Sequence, residues 1–434
     1  MRVSTPAALA LLGGAPAVPR EARRVEWPVV TEADRDAVVE VLASGRFVST
    51  SPSATEVDRL EQEWARFTGA RHCVAVSSGT AALALGLAAA GVEPGAEVLV
   101  PALTFAATGL AALHQLAVPV FVDIDPRTFT IDAGAAAAAI TERTRAIAPV
   151  HLHGLPADMG PLRELAAAHD LRVVEDAAQS HGAVYGRTQT GAIGDAGAFS
   201  LNVSKNLPTC GEGGLLTTSD EALYERALAM RQFGETIQPG AEREYRSACL
   251  GWNYKLSTIQ AAFTRSQLRR FPAYQAAREA NVRTFLDAVR DLPGLVAPGV
   301  PADRTHAWHM IRLRLDAAAA GLEGVRPAAF REAVRRALRA EGAAVSRYQS
   351  MPLCDQEVFR RREGFGRGYP WTIASAGAGA GDRFPRTREV LEDSLTIQRT
   401  HLSPAGAPLM ARYAEAFQKV WSHLDVIAEM ARSR

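Results

Sequence analysis

The sequence predicts an α/β protein: a large domain on a mixed, mainly parallel seven-stranded sheet, followed by a smaller α+β domain. Three observations carry this. Between Cys73 and Thr218, seven short apolar runs alternate with amphipathic or alanine-rich helical patterns, as expected of a parallel sheet covered on both faces. Beyond Pro293 that alternation stops and a looser mixture of strand and helix patterns takes over. At 434 residues, 47% hydrophobic and 22% charged, the chain is long enough to bury more than one core.

Taken in order, residues 1–30 read as an N-terminal arm. Its apolar run Ala7–Leu12 is followed by Gly13, Gly14 and Pro16 and is too short for a secretory h-region, so a cytoplasmic protein is expected. The large domain spans 31–294. Val30–Ser44 and Thr55–Phe67 read as helices joined by a Ser-rich loop, Val48–Ala54. Strands are expected at Cys73–Ser78, Glu97–Ala102, Pro119–Asp125, Ala146–Leu152, Arg172–Ala177, Ala196–Leu201 and Gly214–Thr218, with helices such as Thr80–Ala90 and Met159–His169 between them. Leu256–Leu292 reads as helical but broken near Pro272, because proline lacks an N–H and crowds the preceding turn. In the small domain, 295–434, a strand is expected at His309–Leu315 and a helix at Pro327–Glu341. A loose Gly/Arg-rich segment, Arg360–Arg383, and a terminal helix near Pro408–Ala431 follow. Ala135–Ala139 and Ala317–Ala320 read as alanine-rich helix segments.

Composition narrows the function classes. A formal net charge of +1 gives no basis for capturing nucleic acid or an acidic membrane surface. No stretch approaches the ~18 apolar residues needed to span a bilayer. The four cysteines are scattered without metal spacing and read as reduced thiols, and no His/Asp/Glu/Cys cluster argues for a metal. No GxGxxG follows a strand, which speaks against a nicotinamide enzyme. Of the 48 Lys+Arg residues only Lys205, Lys255 and Lys419 are lysine. Only lysine can lose its proton near neutral pH and attack a carbonyl, so any Schiff-base chemistry has three candidates.

Four segments bear residues suited to one cofactor site. Ser77-Ser78-Gly79-Thr80 stands between a strand and a helix, where free N–H groups suit a phosphate; Ser78 or Thr80 as a plain N-cap is the other reading. Asp176 ends a buried strand and could pair with a protonated ring nitrogen or cap the next turn, with Gln179 and His181 close behind. Lys205 leaves the strand that ends near Ser200 and precedes the Gly-rich loop Gly211–Gly214. Partial burial would populate its free amine, whereas a solvated surface lysine is the alternative. Gly251–Ser257 combines a glycine, aromatics and Asn253 before a helix. His151 and His153 read as satisfied core or loop histidines, with substrate contact as the other reading; Arg347 and Tyr348 are unplaced candidates to contact the amino donor or acceptor, and the role of His306 and His309 is open.

In this order the segments resemble the DegT/StrS sugar-aminotransferase family, of the aspartate-aminotransferase-like fold (type I) of pyridoxal 5'-phosphate (PLP) enzymes. The resemblance includes Leu9–Gly14, Ser78–Ala82, Pro101–Thr108, Glu175–Gly182, Phe199-Ser200 with Lys205, Gly211–Gly214 and Gly251–Ser257. It implies that Lys205 is catalytic and forms the internal aldimine with PLP. It further implies that Gly79, Thr80 and Ser200 hold the phosphate, Phe105 stacks on the ring, Asp176 pairs with the ring nitrogen and Gln179 approaches the phenolic oxygen. Asn253 would reach the phosphate in a neighbouring subunit, making a homodimer the minimum active unit. His181 and Asn202 would face the substrate.

A dehydrating relative has histidine in place of this lysine, so Lys205 favours amino transfer. Asn202 stands where many relatives have His or Gln, Val203-Ser204 where Pro-Thr is frequent, and Thr258 where Glu is usual; these departures concern the acceptor side. The Leu-Gly-Gly header and Thr209–Gly214 look like the branch that moves an amino group from L-glutamine, or L-glutamate, to a keto-cyclitol in antibiotic pathways. Nucleotide-linked ketosugar aminotransferases, aminohydroxybenzoate-synthase-like enzymes and a non-catalytic regulatory relative are the other readings.

Overall fold

The computed structural model describes residues 8–49, 55–237, 243–374 and 384–433. Most of the Ser-rich loop at 48–54 and the end of the Gly/Arg-rich segment therefore lie outside the described residues.

All seven expected strands are present: β1 (His72–Val76), β2 (Glu97–Pro101), β3 (Val118–Val122), β4 (Thr144–Ile147), β5 (Arg172–Asp176), β8 (Ala196–Ser200) and β9 (Gly214–Thr218). A short hairpin, β6 (Val184–Tyr185) with β7 (Thr188–Gln189), sits between β5 and β8. The sheet order is β1-β9-β8-β5-β4-β2-β3. β9 runs antiparallel to both neighbours, while the steps from β8 to β3 are parallel.

Alternation along each strand distributes side chains to two covered faces. Val74, Val76, Val98, Val100, Val174 and Leu216 join a core with helices Gly79–Ala89, Ala106–Leu113 and Glu221–Arg231. Cys73, Ala75, Phe199 and Leu215 face the opposite side, where Leu60 and Trp64 of helix Glu56–Thr68 and Phe271 of helix Thr258–Val289 cover them. Helix Gly79–Ala89 is apolar all round because it is buried all round. Among the described residues no helix is long and apolar enough to cross a membrane.

The second sheet has the order β10-β11-β13-β12, from β10 (Leu295–Val296), β11 (Met310–Leu315), β12 (Val345–Ser346) and β13 (Ser394–Gln398). Helices Pro327–Ala340, Ala407–Trp421 and Leu424–Arg432 cover one face. Leu9 and Val18 from the N-terminal stretch, and Phe285 and Val289 from the long helix, complete this core.

Three sequence expectations fail for local reasons. Helix Thr258–Val289 runs unbroken through Pro272. Side chains on both sides of the proline anchor it: Arg270 pairs with Asp34, Phe271 is buried, and Gln275 Nε2 donates to Gly182 O at 3.1 Å. Tertiary contacts thus offset the one missing hydrogen bond. The terminal helix splits at Ser422-His423, where Ser422 Oγ and His423 Nδ1 both bind the Lys419 carbonyl, at 2.8 and 2.9 Å. Ala317–Ala320 forms a turn and not a helix. Asp316 Oδ1 accepts from Ala319 N, and Gly321 at φ 76° reverses the chain before a helix can propagate.

Candidate active site

The carboxyl ends of β1, β2, β5 and β8 open on a cavity of about 360 Å³, the usual place for ligands in a parallel sheet. The end of the second sheet closes its far side with His309, Met310, Tyr348, Gln398 and Arg399. The β11–β13 register sets Met310 opposite Gln398, bringing His309 and Met310 beside Gln398 and Arg399, and β12, paired with β13 on its other side, carries Tyr348 in.

Ser78 is the N-cap of helix Gly79–Ala89, its Oγ accepting from Ala81 N at 3.1 Å. The N–H groups of Gly79 and Thr80 have no partner among the described residues and line the cavity, a ready anion seat. A Cβ on Gly79 would stand 2.7 Å from Ser200 Cβ. Glycine therefore lets the helix start approach the end of β8 and share the corner with the Ser200 hydroxyl.

Asp176 ends β5 and is buried. Its Oδ2 accepts from Thr108 Oγ1 at 2.7 Å and its Oδ1 from Ala178 N at 3.1 Å, so it closes the next turn and still faces the cavity. Burial pushes its pKa up, opposed by Thr108, the Ala178 N–H and the positive charge of Lys205. Lys205 is partly buried, and Nζ has no hydrogen bond or ion pair with any described residue. Burial pushes its pKa down, with Asp176 and Glu212 opposing. The other two lysines are engaged elsewhere. Lys255 Nζ donates to Asn253 Oδ1 at 2.5 Å and lies over the Phe233 ring, and Lys419 Nζ pairs with Glu341 at 2.9 Å. Of the three, Lys205 is the one presented to a cavity.

Phe105 lines the cavity with 60% of its surface exposed, leaving an aromatic face uncovered. Gln179 lines it as well, its Oε1 accepting from His153 N at 2.7 Å. Asn202 is on the wall, but both ends of its amide are used: Nδ2 donates to Glu212 Oε1 at 2.5 Å, and Oδ1 accepts from Ser204 N and Oγ. Asn253 is exposed and stands outside this chain's own cavity wall.

His181 departs from expectation. It is fully buried between Trp64 and Phe199, with ring centroids 5.8 and 5.4 Å away, and is not part of the cavity wall. Burial among aromatics pushes its pKa down to about 3, which suits a neutral core residue. His151 is a core residue as well, and unlike His181, whose ring nitrogens have no partner among the described residues, it is satisfied. Its Nδ1 accepts from Ala157 N at 3.0 Å, so the proton is on Nε2, which donates to Glu175 Oε2 at 2.8 Å. Glu175 in turn holds the loop through Gly191 N, Ile193 N and Gly194 N.

Sequence reasoning assigned no role to Thr108, Glu212, His309 or Arg399, and left Tyr348 as an unplaced candidate to contact donor or acceptor; the structure puts it on the cavity wall. Thr108 falls within a quoted motif, yet its hydrogen bond to Asp176 spans 68 positions and has no local signature.

A family model for the DegT/DnrJ/EryC1/StrS aminotransferase family matches residues 28–373. The chain belongs to that family. An L-glutamine:2-deoxy-scyllo-inosose aminotransferase of Streptomyces lividus is 40% identical over 299 residues, covering 66% of this chain and 70% of that protein. A UDP-N-acetyl-3-dehydro-alpha-D-glucosamine 3-aminotransferase of Acidithiobacillus ferrooxidans is 39% identical over 300 residues, covering 69% and 76%. The crystal structure of Streptomyces venezuelae DesV in complex with a ketimine intermediate superimposes with a TM-score of 0.76 at 31% identity, covering 90% of this chain and 94% of that one. This DegT/StrS member is thus a PLP-dependent, type I-fold aminotransferase of the sugar and cyclitol group. The cavity fits PLP part by part: unpartnered N–H groups for an anion, a buried carboxylate for a cationic ring nitrogen, an unpaired amine for an aldehyde, and a bare aromatic face for the ring.

Proposed function

We propose that the protein moves an amino group from L-glutamine or L-glutamate to a ketone of a cyclitol or sugar, working as a cytoplasmic homodimer. The observation that carries the site assignment is the unpaired amine of Lys205 facing the same cavity as the buried carboxylate of Asp176.

When bound, PLP supplies an aldehyde that condenses with amines and a protonated ring that accepts the electron pair left by a departing proton. Gly79, Thr80 and Ser200 bind the phosphate, and Phe105 covers a face of the ring. Asp176, held in place by Thr108 and Ala178, keeps a negative charge at the ring nitrogen. Gln179 is fixed through His153 N and orients the phenolic oxygen. Lys205 Nζ would take up the α-proton of the donor and hold it for transfer, its lowered pKa populating the neutral amine this requires. Donor and acceptor use the cavity in turn, which gives ping-pong kinetics. Asn253, exposed and outside its own cavity, serves the phosphate of the neighbouring subunit.

The cyclitol reading draws support from the S. lividus relative, and a nucleotide-linked ketosugar is the second reading, supported by the A. ferrooxidans relative at nearly the same identity. Lys205→Ala is expected to abolish both the visible cofactor band and amino transfer, and borohydride reduction should leave the pyridoxyl label on the peptide containing Lys205. An unchanged band, or the label on another lysine, would refute the site. With glutamine as donor, scyllo-inosose and 2-deoxy-scyllo-inosose should be aminated; reaction with nucleotide-linked ketosugars alone would reject the cyclitol acceptor.

A further inference from the structure

A groove of about 530 Å³ runs along helix Pro327–Ala340 of the small domain and shares no lining residue with the cavity of Lys205. Its wall carries five guanidinium groups, of Arg326, Arg331, Arg335, Arg339 and Arg347, against the single carboxylate of Glu332. Nothing in the proposed reaction uses them.

Sequence and fold explain why they gather. Arg331, Arg335 and Arg339 recur every fourth residue, so they line one face of the helix at about 6 Å per step. Arg347 comes from the chain just after β12. Val345 packs with Phe330 and Val334 of the helix in the small-domain core, whereas Ser346 hydrogen-bonds to Thr396 and Gln398 and Tyr348 lines the cavity. Alternation along the strand therefore turns Arg347 toward the helix. This candidate for substrate contact stands in the groove and not on the wall of the active site.

The charges are only partly met. Arg335 forks onto Glu332 at 2.7 and 2.8 Å. Arg331 is 5% exposed and donates through Nη1 to the carbonyl oxygens of Leu391 and Glu392, each at 2.8 Å. Its Nε is buried without a partner, and its Nη2 has none among the described residues. Arg339 and Arg347 are exposed and make no hydrogen bond or ion pair with any described residue. Burial, then the charge of Arg347, pushes the pKa of Arg331 down, with Glu332 and Glu392 opposing. Where the helix begins, Ala328 lines the groove and its N–H has no acceptor among the described residues.

Like charges gathered around a buried guanidinium cost stability unless an anion offsets them. A lone carboxylate would meet one fork and leave the others unmet. A phosphate brings up to two charges, and its oxygens match guanidinium donors in bidentate geometry. The free N–H at the helix start is a further donor to such an anion. No aromatic ring lines the groove, so a nucleobase would find nothing to stack on.

We propose that this groove binds a small phosphate-bearing anion, at a site separate from the cofactor's own phosphate seat.

The test uses holoenzyme, in which the cofactor already fills the seat at Gly79, and isothermal titration at about 0.15 M salt. Inorganic phosphate, pyrophosphate and glucose 1-phosphate are the probes. At least one should bind a single site per chain with a Kd of about 1 mM or tighter. Arg347→Ala and Arg339→Ala should each weaken binding about tenfold or more. Their Tm without anion should stay within about 2 °C of the parent. Arg347→Lys, which keeps the charge but not the fork, should fall between parent and Arg347→Ala. Inorganic phosphate binding as tightly as glucose 1-phosphate assigns the groove to the free anion, and tighter binding of the sugar phosphate assigns it to the ester. The proposal is overturned if every probe binds more weakly than about 1 mM, or if both alanine variants keep the parent's affinity. Triglutamate binding more tightly than pyrophosphate would also overturn it, making the groove a seat for an acidic protein segment.

Discussion

Replacing Asp176 with asparagine separates the charge of the site from its shape. Each carboxylate oxygen accepts one protein hydrogen bond, from Thr108 Oγ1 at 2.7 Å and from Ala178 N at 3.1 Å, leaving lone pairs free toward the cavity. Asparagine keeps an oxygen for Ala178 N and turns its amide toward Thr108. The Thr108 hydroxyl can rotate to accept that N–H, because Thr104 Oγ1 lies 3.1 Å away as an alternative partner. The fold should therefore lose about 1 kcal/mol or less, and relief from burying a charge acts in the opposite direction. Under the proposed role, what would disappear is the counter-charge for the ring nitrogen, worth ~2–4 kcal/mol in a buried site. At 1.36 kcal/mol per tenfold, that is about 30- to 1,000-fold in the rate of proton removal. The measurement is single-turnover reaction with L-glutamine, alongside thermal unfolding. The expected result is a rate loss in that range with a Tm drop of no more than about 2 °C. A PLP analogue methylated at the ring nitrogen carries its positive charge without a partner and should recover part of the rate. Turnover within threefold of the parent would refute the role given to Asp176, and a rate loss matched by a collapse in Tm would make the residue structural.

Two further outcomes are expected. His181, His306 and His401 are buried and each is held down to about 3, so they stay neutral in the fold while the unfolded chain takes up protons below about 6.5. Their folded pKa values lie below the unfolded ones, so stability is lost as pH falls from 6.5 toward 3; at pH 5 each costs about 2 kcal/mol, or about 6 together. Urea midpoints recorded between pH 7.5 and 5 should fall steeply, and a flat profile would show that these imidazoles titrate freely in the fold. Gly79→Ala drives a methyl to 2.7 Å from Ser200 Cβ, so the helix start must move, at about 1–3 kcal/mol of stability. PLP affinity should weaken at least about tenfold as the two N–H groups shift; an unaltered titration curve would remove them from the phosphate seat.

The strands of the large sheet are legible in the sequence because both faces are buried, which turns each into a short apolar run between helical patterns. Continuity of a helix is less legible, since it depends on what lies alongside. Pro272 reads as a break until Arg270, Phe271 and Gln275 are seen to be anchored by distant elements, and the split at Ser422-His423 arises from two side chains competing for a single carbonyl. The site divides along the same line. Gly79, Asp176, Ser200 and Lys205 stand at or just beyond strand ends, where one local motif both ends a strand and presents a functional group, so each can be read from its neighbours in the chain. His181 shows the limit of that logic: it follows the same strand end, yet the chain turns it into the aromatic core. Tyr348, Gln398 and Arg399 belong to no motif, and only the β11–β13 pairing of the second sheet brings the last two to the cavity. The residues expected to activate a cofactor therefore lie in local motifs of one sheet, whereas those facing them across the cavity come from another. Substrate preference can then change by altering the second sheet while the first is left intact, which is the pattern expected when relatives of nearly equal identity carry names for a cyclitol in one case and a nucleotide sugar in another.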